Sequence, residues 1–191
     1  MIREQEQKQN AKTATVRSAK ECTLLAVFTA LVIAVQLALS ALPGVELVTV
    51  LFVAFSYTFG WKRGVFAAVV FALLRQLVFG FFPTVLVLYL TYYTALTCVF
   101  GLLGKRIPIT CWGIILLTAT ACLCTIGFTL LDDILTPFWY GYTPKAAKAY
   151  FYASLYFLIP QIVCTAVSVA LLLVPLHKVF LTAKITLLHL K

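Results

Sequence analysis

The chain of 191 residues is short of charge, and above all of acid: 11% of its residues are charged, and only six are Asp or Glu. Soluble proteins carry roughly 25% charged residues, and a water-soluble globule of this size needs polar groups over a large surface. Six acids and fifteen basic residues do not supply them, so a soluble enzyme is excluded first. Catalytic signatures are missing as well. There is no H-E-x-x-H sequence and no C-x-x-C pair, and the six cysteines have none of the spacings of a zinc site. Most of those cysteines lie in apolar runs and read as small buried residues. Gly101-Leu102-Leu103-Gly104-Lys105-Arg106 approaches a phosphate-binding loop, but its spacing and its last residue are wrong, so the chain has no P-loop of its own to hydrolyse ATP. The two histidines, His177 and His189, stand far along the chain from the acids and suggest neither a triad nor a metal site. No repeat of 20–50 residues is apparent, nor any likeness between the two halves.

What is present is apolar: 63% of the residues are hydrophobic and the mean hydropathy is +1.03. The apolar runs cover 23–42, 47–60, 64–82, 84–103, 109–131 and 151–176. Each reads as a helix, because a backbone in lipid must satisfy its own hydrogen bonds; a β-barrel would show alternating strands of about ten residues. Breakers separate the runs: Leu42-Pro43-Gly44, Gly60-Trp61-Lys62-Arg63-Gly64, Phe82-Pro83, Gly104-Lys105-Arg106-Ile107-Pro108, and a long loop over 132–150. Six spans of about 20 residues use about 120 positions, which leaves no room for a second folded domain. The apolar run at 24–42 also has features of a signal peptide, but it is long for one, and cleavage would remove the most patterned helix.

The expected fold is an all-α integral membrane protein, a six-transmembrane-helix bundle with both ends in the cytoplasm (N-in/C-in). Residues 1–21 form a cytoplasmic N-terminal tail or the start of an amphipathic helix, 22–177 the membrane domain and 178–191 a C-terminal tail. Charge sets this orientation. Twelve of the fifteen basic residues fall in the two tails and in the turns holding Lys62, Arg63, Lys105 and Arg106; the others are Arg75, Lys145 and Lys148. That is the excess of Lys and Arg expected on the cytoplasmic side. A net charge of +9, which in a soluble chain would suggest nucleic acid, is here a record of topology, and no nucleic-acid partner is expected.

Two faces carry further information. Ala26, Ala30, Ala34 and Ala38 recur every four residues on the first helix. Residues at this spacing share a face, and small residues there let a second helix approach closely; that helix belongs either to the same bundle or to a partner. The other face is the outer end. Arg75 and Gln76 lie inside the third helix, and a charge in a span marks a candidate site unless it snorkels to the headgroups. Its candidate carboxylate partners are Glu46, Asp132 and Asp133. Tyr89 and Tyr93 share a face of the fourth helix, and Trp139 and Tyr140 follow the acids. Some of these aromatics belong to the interfacial belt; the rest suit the walls of a pocket for a flat heteroaromatic ligand. Pro160 removes a helical hydrogen bond in the sixth helix, and Gln161 either satisfies the freed carbonyl or reaches a ligand.

With these residues in place, the chain resembles the substrate-binding S components of energy-coupling factor (ECF) vitamin transporters. The resemblance covers about residues 20–180. It rests on chain size, six N-in/C-in helices, the alanine stripe, the long aromatic outer loop before the sixth helix, and the segments Val45-Glu46-Leu47-Val48, Phe59-Gly60-Trp61-Lys62-Arg63-Gly64 and Leu74-Arg75-Gln76-Leu77-Val78-Phe79-Gly80-Phe81-Phe82-Pro83. It implies capture of a vitamin-like compound at the outer face of a prokaryotic plasma membrane. It also implies docking through Ala26, Ala30, Ala34 and Ala38 onto a transmembrane coupling subunit driven by two ATPases, so that ATP serves the partners and this chain needs no cofactor. Substrate contacts would come from Glu46, Arg75, Gln76, Tyr89, Tyr93, Asp132, Asp133, Trp139 and Tyr140. The ligand could be a queuosine precursor, a pyridoxine-like or pyrimidine vitamin, or cobalamin. The rival readings are a small membrane enzyme, a stand-alone secondary carrier, or a structural assembly subunit.

Overall fold

The computed structural model describes residues 2–41 and 47–188, with side chains over 19–41 and 47–186. It contains six helices: α1 (Ile2–Leu39), α2 (Val48–Phe59), α3 (Trp61–Phe79), α4 (Pro83–Leu103), α5 (Cys111–Tyr140) and α6 (Pro144–Leu188). No strand occurs among the described residues. Four segments are long and apolar enough to cross a membrane: Ala19–Leu39, Pro83–Leu103, Cys111–Tyr140 and Pro144–Thr186. The remaining two helices differ for physical reasons. α2 has 12 residues, about 18 Å of helix, against a hydrocarbon core of about 30 Å. α3 carries Lys62, Arg63 and Arg75 within its 19 residues.

The expected breakers at the later helix ends hold in part: the break expected at Gly60–Gly64 shrinks to Gly60, because Trp61 to Gly64 already belong to α3, and Leu42-Pro43-Gly44 lies outside the described residues. Gly60 and Gly80 adopt positive φ of 87° and 95° on either side of α3, a region that glycine enters without strain. Pro83 occupies the first turn of α4, where its missing N–H has no helical partner to lose. The Thr110 side chain accepts from Gly113 N–H at 3.2 Å and caps α5.

The expected long loop over 132–150 is not one. α5 continues through Asp132 and Asp133 to Tyr140, residues 141–143 make the turn, and α6 begins at Pro144. Gly141 in the left-handed conformation terminates α5, with Tyr142 N–H donating to Pro137 O at 3.0 Å. The two acids that suggested a loop take hydrogen bonds within the helix pair instead, as described below. Helix also extends into both end segments: α1 begins at Ile2, and α6 runs unbroken to Leu188 through Pro160 and Pro175. At 45 residues, α6 is about 67 Å long, more than twice the hydrocarbon thickness. None of the six cysteines forms a disulfide. None is fully buried: Cys22 and Cys111 are exposed and the other four are half-buried, Cys124 against the core.

α2 is the centre of the bundle. It is apolar all round, as a helix enclosed by protein should be, and every residue but Tyr57 is buried. α4 and α6 pack most extensively on it, with α3 alongside; α3 pairs with α4, and α5 with α6. Aromatic rings from five helices interlock at this core. Phe28 of α1 stacks on Phe55 of α2 at 3.9 Å and meets Phe180 of α6 edge-on at 5.9 Å. Phe52 of α2 contacts Phe71 of α3 and Tyr93 of α4 at 5.3 and 4.8 Å. Such ring pairs add roughly 0.5–1.5 kcal/mol each beyond the area they bury.

The α5–α6 pair is joined differently, by a ladder of polar contacts. The Thr125 and Thr165 hydroxyls meet at 3.1 Å, and Thr129 donates to Gln161 Oε1 at 3.4 Å. Further along, the Tyr150 hydroxyl donates to Asp132 at 2.7 Å and Ser154 to Asp133 at 2.8 Å. Helices in lipid gain little from hydrophobic contact with each other, so interhelical hydrogen bonds and close packing hold them together.

Candidate functional site

Arg75 projects from α3 onto aromatic rings. Its guanidinium carbon lies 4.4 Å from the Tyr89 ring centroid and 4.9 Å from that of Phe79. Cation–π contacts of this kind strengthen as the cation loses water. Nε and Nη1 are buried and have no hydrogen-bond partner. The side chain is therefore held against protein rings rather than extended to headgroups, with two donors unused. Neither Asp132 nor Asp133 pairs with it. Glu46, the third expected partner, lies outside the described residues.

Around Arg75 the other candidates take distinct parts. Tyr89 is 7% exposed, and its hydroxyl accepts from Gln36 Nε2 of α1 at 3.1 Å. Tyr93 is 1% exposed, wedged between Phe52, Phe71 and Tyr89, so it backs the Tyr89 ring from within the core. Gln76 divides its amide. Oε1 accepts from Phe82 N–H at 2.9 Å and shapes the turn into α4, while Nε2 is buried without a partner. Gln36 Oε1 is likewise buried and unpaired. Unsatisfied buried polar atoms are costly; four of them on Arg75, Gln76 and Gln36, together offering donors and one acceptor, form the strongest sign of a ligand position in this half of the bundle.

The acids stand on the other side of an aromatic divide. Tyr89 meets Phe128 of α5 edge-on at 5.9 Å, and Tyr92 meets the same ring at 4.7 Å. Phe128 in turn lines a cleft of about 250 Å³ between α5 and α6, together with Thr129, Asp132, Tyr150, Ser154 and Gln161. Asp132 is fully engaged: Thr136, one turn on, donates to one oxygen at 2.6 Å and Tyr150 to the other. Asp133 keeps Oδ1 buried and unpaired. Trp139 and Tyr140 do not join this cleft. They are 53% and 54% exposed at the end of α5, where Tyr140 stacks on Tyr142 at 6.3 Å. Tyr152 and Tyr156 are more exposed still, as suits rings at a membrane interface.

The alanine stripe faces outward. Ala26, Ala30, Ala34 and Ala38 are all exposed, whereas Leu24, Phe28 and Val32 of the same helix are buried. Val27 and Leu31 extend the exposed face. Packing inside this chain therefore does not account for the stripe.

Sequence reasoning missed Gln36, Phe128 and Ser154. Gln36 left a signal, since it is the one amide in the apolar run at 24–42. The other two did not, because their roles depend on contacts between helices. Among the described residues no three His, Cys, Asp or Glu side chains converge. Comparison with protein-family models, with curated proteins and with solved structures finds no match.

Proposed function

We propose that the chain is the substrate-capture S component of an ECF-type importer in a prokaryotic plasma membrane. In this reading all six helices lie within the bilayer with both ends cytoplasmic, and the short α2 is carried at the protein core instead of against lipid. One observation carries the reading: four alanines in strict register are exposed on a helix whose opposite side is buried. A stripe of methyl groups open to the bilayer offers a close-packing seat for a helix of the coupling subunit. Two ATPases on that subunit then supply the energy that this chain has no site to extract.

The ligand seat is the aromatic region between Arg75 and the α5–α6 cleft. Arg75 and Gln76 offer donors to an anionic or carbonyl group. Asp133, through its unpaired Oδ1, accepts from an amine or hydroxyl, and Tyr89 and Phe128 present rings for stacking. This lining favours a small planar compound, such as a queuosine precursor or a pyridoxine-like or pyrimidine vitamin. Cobalamin would need a much wider opening than a cleft of about 250 Å³.

The test is a thermal-shift screen of the purified chain in detergent against a vitamin library. A ligand at a hundred times its dissociation constant stabilises the folded state by about 2.7 kcal/mol. The expected result is a concentration-dependent rise in melting temperature with one planar compound. A library that leaves the melting temperature unchanged throughout would count against the capture role.

A further inference from the structure

A second polar concavity lies far along the bundle from the ligand seat, where the α2–α3 turn meets the end of α4. Its volume is about 340 Å³, and its lining includes Glu21, Trp61, Lys62, Arg63 and Lys105. Close backbone packing builds it. A Cβ at Gly101 would overlap the Trp61 backbone, and one at Gly104 would overlap the carbonyl of Tyr57. These two glycines press the end of α4 against the turn and so set Lys105 beside Lys62 and Arg63.

The charges in this cleft are unequal. Glu21 is held by Arg63, with Nη2 2.7 Å from Oε1. Neither Lys62 nor Lys105 has a carboxylate within ion-pairing distance among the described residues. Lys62 Nζ lies 5.8 Å from the Trp61 ring centroid, and Arg63 Nε is buried with no partner. The cleft thus keeps two uncompensated cations and an unused donor, a preference for an anion.

Apolar surface adjoins the cations along both helices. Phe66 follows Lys62 by one turn on the same face of α3, and Leu102 lies in the last turn of α4, just before the turn that holds Lys105. Both are more than half exposed. Trp61, 38% exposed, lines the cleft beside the cations, and tryptophan is a residue favoured at the membrane–water boundary. A cationic head region above an exposed apolar flank matches an amphiphile: an anionic group at the lysines and acyl chains along Phe66 and Leu102.

We propose that this cleft binds the phosphate headgroup of an anionic glycerophospholipid of the cytoplasmic leaflet. Basic pockets between helices on that side attract such headgroups. A bound lipid would fix the α2–α3 turn against α4 and hold the bundle at a defined depth. The proposal rests on the bilayer placement above, but not on the captured vitamin.

The test is native mass spectrometry of the full chain in detergent, titrated with phosphatidylglycerol or phosphatidylcholine. The wild type should retain phosphatidylglycerol with a preference of roughly tenfold or more. Lys62→Ala combined with Lys105→Ala should reduce that preference to near one, while Lys145→Ala combined with Lys148→Ala, an equal loss of charge elsewhere, should preserve it. Excess inorganic phosphate should not displace the lipid. A lysine-62/105 double variant that keeps the preference would overturn the proposal, as would displacement of the lipid by phosphate alone. Vitamin binding, measured in parallel, is expected to be the same in both double variants, so failure of the lipid site would be distinguishable from failure of the capture role.

Discussion

Ala34→Trp is expected to abolish both uptake and co-purification with the coupling subunit, and to leave ligand binding by the isolated chain unchanged. The expectation follows from where Ala34 points. It lies in the middle of the stripe and is exposed, so an indole there meets nothing in its own bundle and should not disturb the fold. It does stand between this helix and any helix that must approach within touching distance. Small-residue interfaces depend on that approach, because van der Waals contact between the backbones replaces the hydrophobic drive that lipid does not supply. A large ring removes the contact over a full turn on either side. Leu123→Trp is the control: Leu123 is 68% exposed on α5, away from the stripe, and the variant should assemble and transport normally. Retained co-purification by Ala34→Trp would remove the stripe from the interface.

Arg75→Ala should produce the opposite pattern, weak ligand binding with normal assembly. Hydrogen bonds from a charged donor contribute about 1.5–3 kcal/mol each, so losing one raises the dissociation constant roughly 10- to 150-fold. Arg75→Lys should recover only part of this. It restores the charge but not the planar group that lies 4.4 Å from the Tyr89 centroid, nor the two donors on Nε and Nη1. A melting temperature measured without ligand separates the effect from a loss of packing between Phe79 and Tyr89. Wild-type affinity in Arg75→Ala would take Arg75 out of the site.

The parts of this architecture that were legible in the sequence are those fixed by local chemistry. Gly60, Gly80 and Pro83 announce the ends of α2, α3 and α4 because each constrains its own backbone whatever surrounds it. The alanine register is equally local, although which way it faced was not. Whether Ala34 turned toward Val32's side or away from it depended on where α2 and α3 packed, and only the folded bundle shows that.

The region 132–150 misled for the converse reason. Two adjacent acids followed by Trp139, Gly141 and Pro144 look like a solvated loop. Asp132 is compatible with a helix because Thr136 and Tyr150 satisfy it, and Asp133 because Ser154 donates to one of its oxygens; two of those partners lie across the turn on α6. Gln76 shows the same limit at a site. Its sequence position next to Arg75 marked it as a ligand contact, yet half of its amide is already occupied by Phe82 N–H. Gln36 reaches Tyr89 across 53 positions, a distance over which no periodicity speaks.

The central claim is that this chain works as one subunit of a four-part importer. The most direct measurement is the composition and mass of the complex that the tagged wild-type chain brings out of its native membranes in mild detergent. The account predicts one copy of the chain with one transmembrane coupling subunit and two ATPases, a complex lost with Ala34→Trp. A wild-type chain recovered alone, or only with further copies of itself, would contradict it.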